Sequence, residues 1–361
     1  MMIMLVGIAL LFFLLNKEGQ SSIPAATEEF IDEWLRNENG TLATYMEPTE
    51  TEDEDLVQGR EALSESIGLW MDYALLKEDK RLFAEAFQLL EGYFLEDDGF
   101  VHWKLTETGE SEVSTNALVD DLRLIHALFL ASEKWKVNKY EKAAVRISQY
   151  ITQYNRYQYI LTDFYDKEHH YASHRLMLSY IEPDALKALK ERGLIGTEMY
   201  ENMLGILENS PQEGPFFPKF FDIKKEEYSY DRSINMIDQS LAAYYIEKSG
   251  YSTDQFLAFI KQELTLHGKV VGQYDKVTKS PIVEYESPAL YGWLILYSIE
   301  AGEKELALQL YQEMVKFRTP YLKYKGGYSV YHNNTHIFDN LVPLLAERTL
   351  CNLKLVKVVN P

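Results

Sequence analysis

The stretch ALSESIGLWMDYALL, residues 62–76, decides the fold. Leu63, Ile67, Trp70, Met71, Ala74 and Leu75 mark one helical side, and Ala62, Leu69, Tyr73 and Leu76 make the other side apolar as well. A helix that is apolar nearly all round has no face for water and must be buried among other helices. Glu65 and Asp72 lie within it all the same. A buried carboxylate is costly unless it is paired, neutralised or used. The two acids therefore pose a question of function inside a question of packing.

Outward from this segment the same period dominates. Apolar residues recur three and four apart over 27–37, 56–77, 79–95, 116–134, 139–154, 184–192, 197–208, 234–248, 253–265, 288–301, 303–317 and 336–348, which predicts about twelve helices. Asn138 with Glu141 and Ser252 with Gln255 have the spacing of capping boxes, and Ser287 before Pro288 puts a proline at a first helical position. Gly250 and Gly302 stand where helices should stop. Extended pieces are few: 100–105, 159–165, 269–274 and 353–359. No Pro/Ser-rich linker divides the chain after residue 50, and no strict repeat marks an ordinary solenoid. The expectation is a single all-α domain over 27–361, an (α/α)6 barrel in which six inner helices are ringed by six outer ones. Inner helices of such a barrel are apolar on both sides, as residues 62–76 require.

Residues 1–26 read as a separate object. The run MMIMLVGIALLFFLL is short for a membrane span, which needs roughly 17–25 residues, but suits the core of an export signal or an uncleaved N-terminal anchor. A polar linker follows it. The expected location is therefore extracellular or at the cell surface.

Composition narrows the chemistry. Among 361 residues, 46% are apolar and 26 are tyrosines, so the chain is globular. With 56 acidic against 36 basic residues the net charge is −20, which argues against nucleic acid or an anionic membrane surface as a partner. Cys351 is the single cysteine, so an intrachain disulfide and a Cys-rich zinc site are excluded. His169, His170 and His174 cluster without the acid of an H-E-x-x-H motif, and the acidic run 47–55 reads as a solvated connection. No G-x-S-x-G, Walker A or G-x-G-x-x-G motif is present.

Five segments resemble glycoside hydrolase family 8. LSESIGLWMDYAL is similar to the family's S-E-G-x-x-Y-G-M segment, which puts the general acid on Glu65. GFVHWKL (99–105) resembles G-L-M-A-W-R and gives a cleft aromatic at Trp103. VDDLRLIHALFLASEKW (119–135) resembles D-[AG]-D-x-x-I-A-x-A-L-L-x-A-x-x-x-W; Val119 stands at its first acid, leaving Asp121 at the second with Asp120 beside it. LSYIEP (178–183) resembles P-S-Y-F-x-P and gives Tyr180, while YSYDRSI (228–234) resembles the segment Y-D-A-x-R-x-P that carries the base and gives Asp231. The resemblance is nearest to exported members that accompany exopolysaccharide synthases, with family 126 and its α-glucan link as a neighbour.

What this resemblance implies is an endo-acting, inverting hydrolase of an extracellular polysaccharide or exopolysaccharide, tied to turnover or synthesis of a biofilm matrix. Glu65 and Asp231 would be the catalytic pair. Asp121, Asp120, Tyr180 and Trp103 would bind substrate. No cofactor and no metal are implied; the protein would act as a monomer, and a membrane exopolysaccharide synthase is the implied partner.

The residues support part of this on their own terms. Inversion needs a protonated carboxyl at the leaving oxygen and an ionised one activating water on the opposite face. Apolar neighbours raise a carboxyl's pKa, which suits Glu65 to the first role. Asp231 stands among Tyr230, Arg232 and Ser233, a polar setting for the second. Plainer readings exist for each. Glu65 would pair within its first turn, Asp231 would cap the helix that follows, Asp121 would partner Arg123, and the aromatics would be core. A non-catalytic polysaccharide-binding or synthase-accessory protein on the same scaffold is the alternative from another class.

Overall fold

The computed structural model describes residues 23–48 and 57–356. The acidic connection from 49 to 55 and the apolar run 1–15 lie outside these residues. Among the described residues the α-helices are α1 (Ile23–Trp34), α2 (Ser64–Lys77), α3 (Lys80–Leu89), α4 (Leu118–Trp135), α5 (Asn138–Tyr154), α6 (Pro183–Glu191), α7 (Thr197–Glu208), α8 (Met236–Lys248), α9 (Asp254–His267), α10 (Pro288–Glu300), α11 (Lys304–Met314) and α12 (Phe338–Asn352).

Even-numbered helices form the inner ring. Each packs on the next, α2 on α4, α4 on α6, α6 on α8, α8 on α10, α10 on α12, and α12 back on α2, so the ring closes. The odd-numbered helices lie outside. The difference is visible in burial. α2 and α10 bury residues on every side, including Ile67, Gly68, Leu69, Trp70 and Met71 in one and Leu290 through Ile295 in the other. α3 and α5 bury one stripe and expose the rest. This is the (α/α)6 barrel that the periodicity predicts. Gly292 permits a close approach of α10 to α12: a Cβ there would stand 2.8 Å from Val342 Cγ1 and 3.0 Å from the Val342 carbonyl. Closure is fastened by Glu347, fully buried on α12, which is ion-paired with Arg318 and accepts hydrogen bonds from the Tyr328 hydroxyl and from Thr27 on α1.

Because every outer helix carries the chain back to the starting end, the six inner helices run parallel. The N-termini of α2, α4 and α8 bring their first-turn acids to one end of the barrel, where unpaired N–H groups and positive dipole ends favour carboxylates. The shorter α6 starts deeper, its first-turn Asp184 ion-paired with Lys248 in the last turn of α8. The short strands sit in the connections. β1 (Ala62–Leu63) pairs antiparallel with β2 (Lys104–Leu105), with Leu63 opposite Lys104. Three hairpin-like pieces follow: β3 (Arg156–Tyr157) with β4 (Ile160–Leu161), and β5 (Tyr165–Asp166) with β6 (Tyr171–Ala172), then the sheet of β7 (Arg175–Met177), β8 (Phe220–Asp222) and β9 (Glu227–Ser229). β10 (Ser233–Asn235) pairs with β11 (Gln273–Asp275).

Some local expectations change. The helix expected from 56 begins at Ser64, because Ala62 and Leu63 are spent on the β1–β2 ladder. Asn138 is inside α5 rather than capping it, and Ser252 gives way to Thr253, whose hydroxyl bonds to Glu247 and Tyr297. Ser287 does cap α10, accepting from the N–H of Ala289 and Leu290. Gly250 and Gly302 stand at φ +86° and +77° just past their helices. Leu353–Val356 continue α12 as turns instead of a strand. Among the described residues no helix is long and apolar enough to cross a membrane.

Candidate active site

Three helix starts and two connections bring acids toward the N-terminal end of the inner ring. Glu65 occupies the first turn of α2. The β1–β2 pairing fixes that turn, and the Ser64 N–H donates to the Trp103 carbonyl at 3.0 Å, which holds the half-buried indole segment directly beside the acid. The Glu65 side chain is 28% exposed and lies 3.8 Å from Arg123 Nη1. Its carboxyl is pushed up to about 7, by burial first and by the neighbouring Asp120 charge next; Arg123 opposes the rise and Asp238 adds to it.

Asp120 and Asp121 open α4 but do different things. Asp120 is 4% exposed. It accepts the Ser64 hydroxyl at 2.6 Å and meets Arg123 Nη1 at 3.4 Å, so it stands next to Glu65. Burial raises its carboxyl, held back by Arg123 and by Ser64. Asp121 is 1% exposed and turns toward the loop before its helix, accepting from the Asn116 side-chain amide at 2.5 Å. The carbonyl of that amide in turn accepts the Tyr165 N–H at 2.7 Å. The other Asp121 oxygen is buried without a partner. Burial pushes this carboxyl well above the usual range.

Tyr180 ends a single 3₁₀ turn (Leu178–Tyr180) ahead of α6. Burial raises its hydroxyl strongly, and four carboxylates, Asp163, Asp120, Glu65 and Asp238, act on it in the same sense. The phenol thus lies within the field of all four. Asp231 lies on the rim, in the connection between β9 and β10. Its side chain is 44% exposed and ion-paired with Lys219 at 2.6 Å. It does not cap α8. That role falls to Asn235, which accepts from the N–H of Ile237 and Asp238, because residues 233–235 are held as a strand against 273–275.

Two acids of this cluster were not singled out from the sequence. Asp238 sits in the first turn of α8, and burial raises its carboxyl against the pull of Lys219. It shares a small crevice with Asp231, lined also by Lys219 and Asn235. The signal in the sequence is an acid in the first turn of an inner helix, as in α2 and α4, although Asp184 in the first turn of the shorter α6 pairs with Lys248 at the far end instead. Asp163 is raised to about 6 by burial, although the Met177 N–H donates to it at 2.7 Å and Arg175 and Lys219 pull the other way. It lies in a connection between short strands, where no periodicity marks it. Around the histidines, His169 Nδ1 lies 2.7 Å from Asp166 and the His174 ring packs edge-on to Tyr157 and Tyr171. Among the described residues no cluster of His, Cys, Asp and Glu could hold a metal ion.

The sequence and the fold have known counterparts. No family model matches the chain. YdaJ of Bacillus subtilis (strain 168), whose name proposes a lipoprotein, is 36% identical over 333 residues, 91% of this chain and 88% of that protein. Among solved structures, an alpha-amylase from Clostridium perfringens superposes with a TM-score of 0.82 at 23% identity, covering 92% of this chain and 98% of that one. PssZ from Listeria monocytogenes gives 0.74 at 27% identity over 92% and 97%. The endoglucanase Cel10 from Klebsiella pneumoniae, a family 8 glycosyl hydrolase, gives 0.63 at 13% identity over 91% and 99%. The closed double ring and the extent of the match to YdaJ agree: this chain belongs to the YdaJ family, on the (α/α)6 scaffold shared with family 8 glycoside hydrolases.

Proposed function

We propose that this protein is a glycoside hydrolase that cuts within a polysaccharide with inversion at the anomeric carbon. The observation that carries the reading is Glu65: a carboxyl lifted to about 7, beside the Arg123-bound Asp120 and in a cluster of acids where the inner-helix N-termini converge. A carboxyl in that state holds a proton near neutrality and can give it to a leaving oxygen.

In the reaction Glu65 transfers its proton to the glycosidic oxygen as the bond to C1 breaks. Asp231, already opposite an ammonium at Lys219, takes a proton from the water whose oxygen bonds to C1 from the other face. Asp120 faces the charge that develops at C1 and the ring oxygen, while Asp121 braces it through the Asn116 loop. Tyr180 lies beside them, and Trp103 offers its ring to a flanking sugar. The inverted hemiacetal and the alcohol leave. Asp238 is the rival for the base, being closer to Glu65 in charge interaction.

The substrate class is an extracellular polysaccharide, and the placement is the cell surface. The apolar segment at residues 1–15 and the lipoprotein name of YdaJ support that placement. An exopolysaccharide made by a neighbouring membrane synthase fits both, with the protein acting as a monomer. The Clostridium perfringens alpha-amylase favours a second reading, an α-glucan. Reducing-end release from mixed-linkage β-glucan, xylan, isolated exopolysaccharide and amylose, each with wild type and Glu65→Gln, tests the proposal. Release that survives in the variant refutes it.

A further inference from the structure

Arg123 is not the partner of Asp121 that the plainer reading of the sequence made it: Asp121 bonds to Asn116, and Arg123 meets Asp120 and Glu65. It leaves α4 one turn after Asp120 and runs across to α2, where its stem lies on Gly68. A Cβ at residue 68 would stand 3.0 Å from Arg123 Cδ and 3.4 Å from Cγ, closer than ordinary contact, so the glycine makes room for this side chain. Glu65, Gly68 and Asp72 follow at spacings of three and four and therefore share one face of α2. The guanidinium lies along that face. One nitrogen, Nη1, reaches Asp120 at 3.4 Å and Glu65 at 3.8 Å. The side chain is 6% exposed, and Nη2 is buried with no partner.

Below it, Asp72, His126, Glu182 and Lys248 face a cavity of about 300 Å³ at the opposite end of the ring, and Arg123 is part of its wall. From α8, the Asp238 charge acts on Glu65 and the Tyr245 phenol on Arg123. Arg123 is thus the cation between the acids of the active end and Asp72 of the far end.

We infer that Arg123 is a positioning residue for the reaction: its guanidinium sets the spacing and charge balance of the Glu65–Asp120 pair, and Gly68 exists to admit it. With the cation in place, Asp120 carries the negative charge and Glu65 the proton. Without it, two buried carboxyls share one proton and neither is reliably in its working state. This rests on Glu65 being the acid.

The test compares pH profiles of kcat and KM for Arg123→Met, Arg123→Lys and Gly68→Ala with wild type, each after a thermal melt. Arg123→Met is expected to lower kcat about tenfold or more while KM changes less. Its optimum should move up by about one pH unit, because Asp120 must now ionise with no cation within 4 Å. Arg123→Lys restores the charge and should bring the optimum back toward wild type. Gly68→Ala keeps every charge and moves the guanidinium by a few tenths of an ångström; kcat should fall several-fold with the melt retained. If the optimum stays put in Arg123→Met, or Arg123→Lys is displaced as far, the inference is wrong. Where Arg123→Met does not fold, an unchanged kcat in Gly68→Ala overturns it instead. Glu65→Gln separates the two levels: activity there removes the hydrolase mechanism itself, whereas an inactive Glu65→Gln with unmoved Arg123 variants removes only this role.

Discussion

Replacing Asp72 by asparagine should make the protein more stable at pH 8 and change little at pH 4. Asp72 sits on α2 facing the far cavity, and its carboxyl is raised from an ordinary 3.8 to about 6. Burial is the main cause; Arg123, His126 and Lys248 oppose it and Glu182 adds to it. A raised carboxyl means that the folded state holds a proton which the unfolded chain gives up between about pH 4 and 6. Wild-type stability therefore falls as pH climbs through that window, and the loss is complete above it. Two units correspond to about 3 kcal/mol at 1.36 kcal/mol per unit. The cavity is open to water, so about 1–3 kcal/mol is expected. Asparagine keeps the shape and removes the charge, so its gain should appear in that window and hold beyond it. Urea denaturation of both proteins at pH 4, 6 and 8 measures this directly. A ΔΔG that is equal at pH 4 and pH 8, or a loss at pH 8, would refute the argument that Asp72 is ionised against its surroundings.

The remaining expectations concern the active end. Glu65→Gln should lose about 10³-fold in kcat, near the middle of the range for a missing general acid, with substrate still bound in a pull-down on insoluble polysaccharide. The wild-type rate should fall as pH rises through about 7, where Glu65 gives up its proton; a rate that stays flat to pH 9 would remove Glu65 from the role. Asp231→Asn should abolish turnover with the melt unchanged, since Asn235 caps α8 and Asp231 does not; full activity there with loss in Asp238→Asn transfers the base to Asp238. Proton NMR of the first product should show an anomer opposite to the bond cut, and retention would require a nucleophile about 5 Å from Glu65.

Residues 62–76 show how much a one-dimensional pattern can carry. Apolar positions on both sides of α2 and α10 announce inner helices, and one-sided stripes in α3 and α5 announce outer ones, because burial is written along the chain at 3.6 residues per turn. Twelve such segments, and an acid inside an apolar helix at Glu65, are sufficient to reach a double ring with a carboxyl under pressure. The pattern does not report how neighbouring helices are rotated against each other. Asp120 and Asp121 are adjacent and so point about 100° apart on their helix. Arg123, one turn on, and Asn116, just before the helix, are local partners, but only the packing of α4 on α2 brings Ser64 and Glu65 to the Asp120–Arg123 pair. Asp238 and Asp163 reach the cluster through ring closure and strand connections, contacts between residues far apart in sequence. Asp231 likewise takes as its partner Lys219, from the connection just before β8. Local sequence determined which faces are buried; the closed ring alone decided which acids meet, since charge interaction depends on distance through space and the helical period records only distance along the chain.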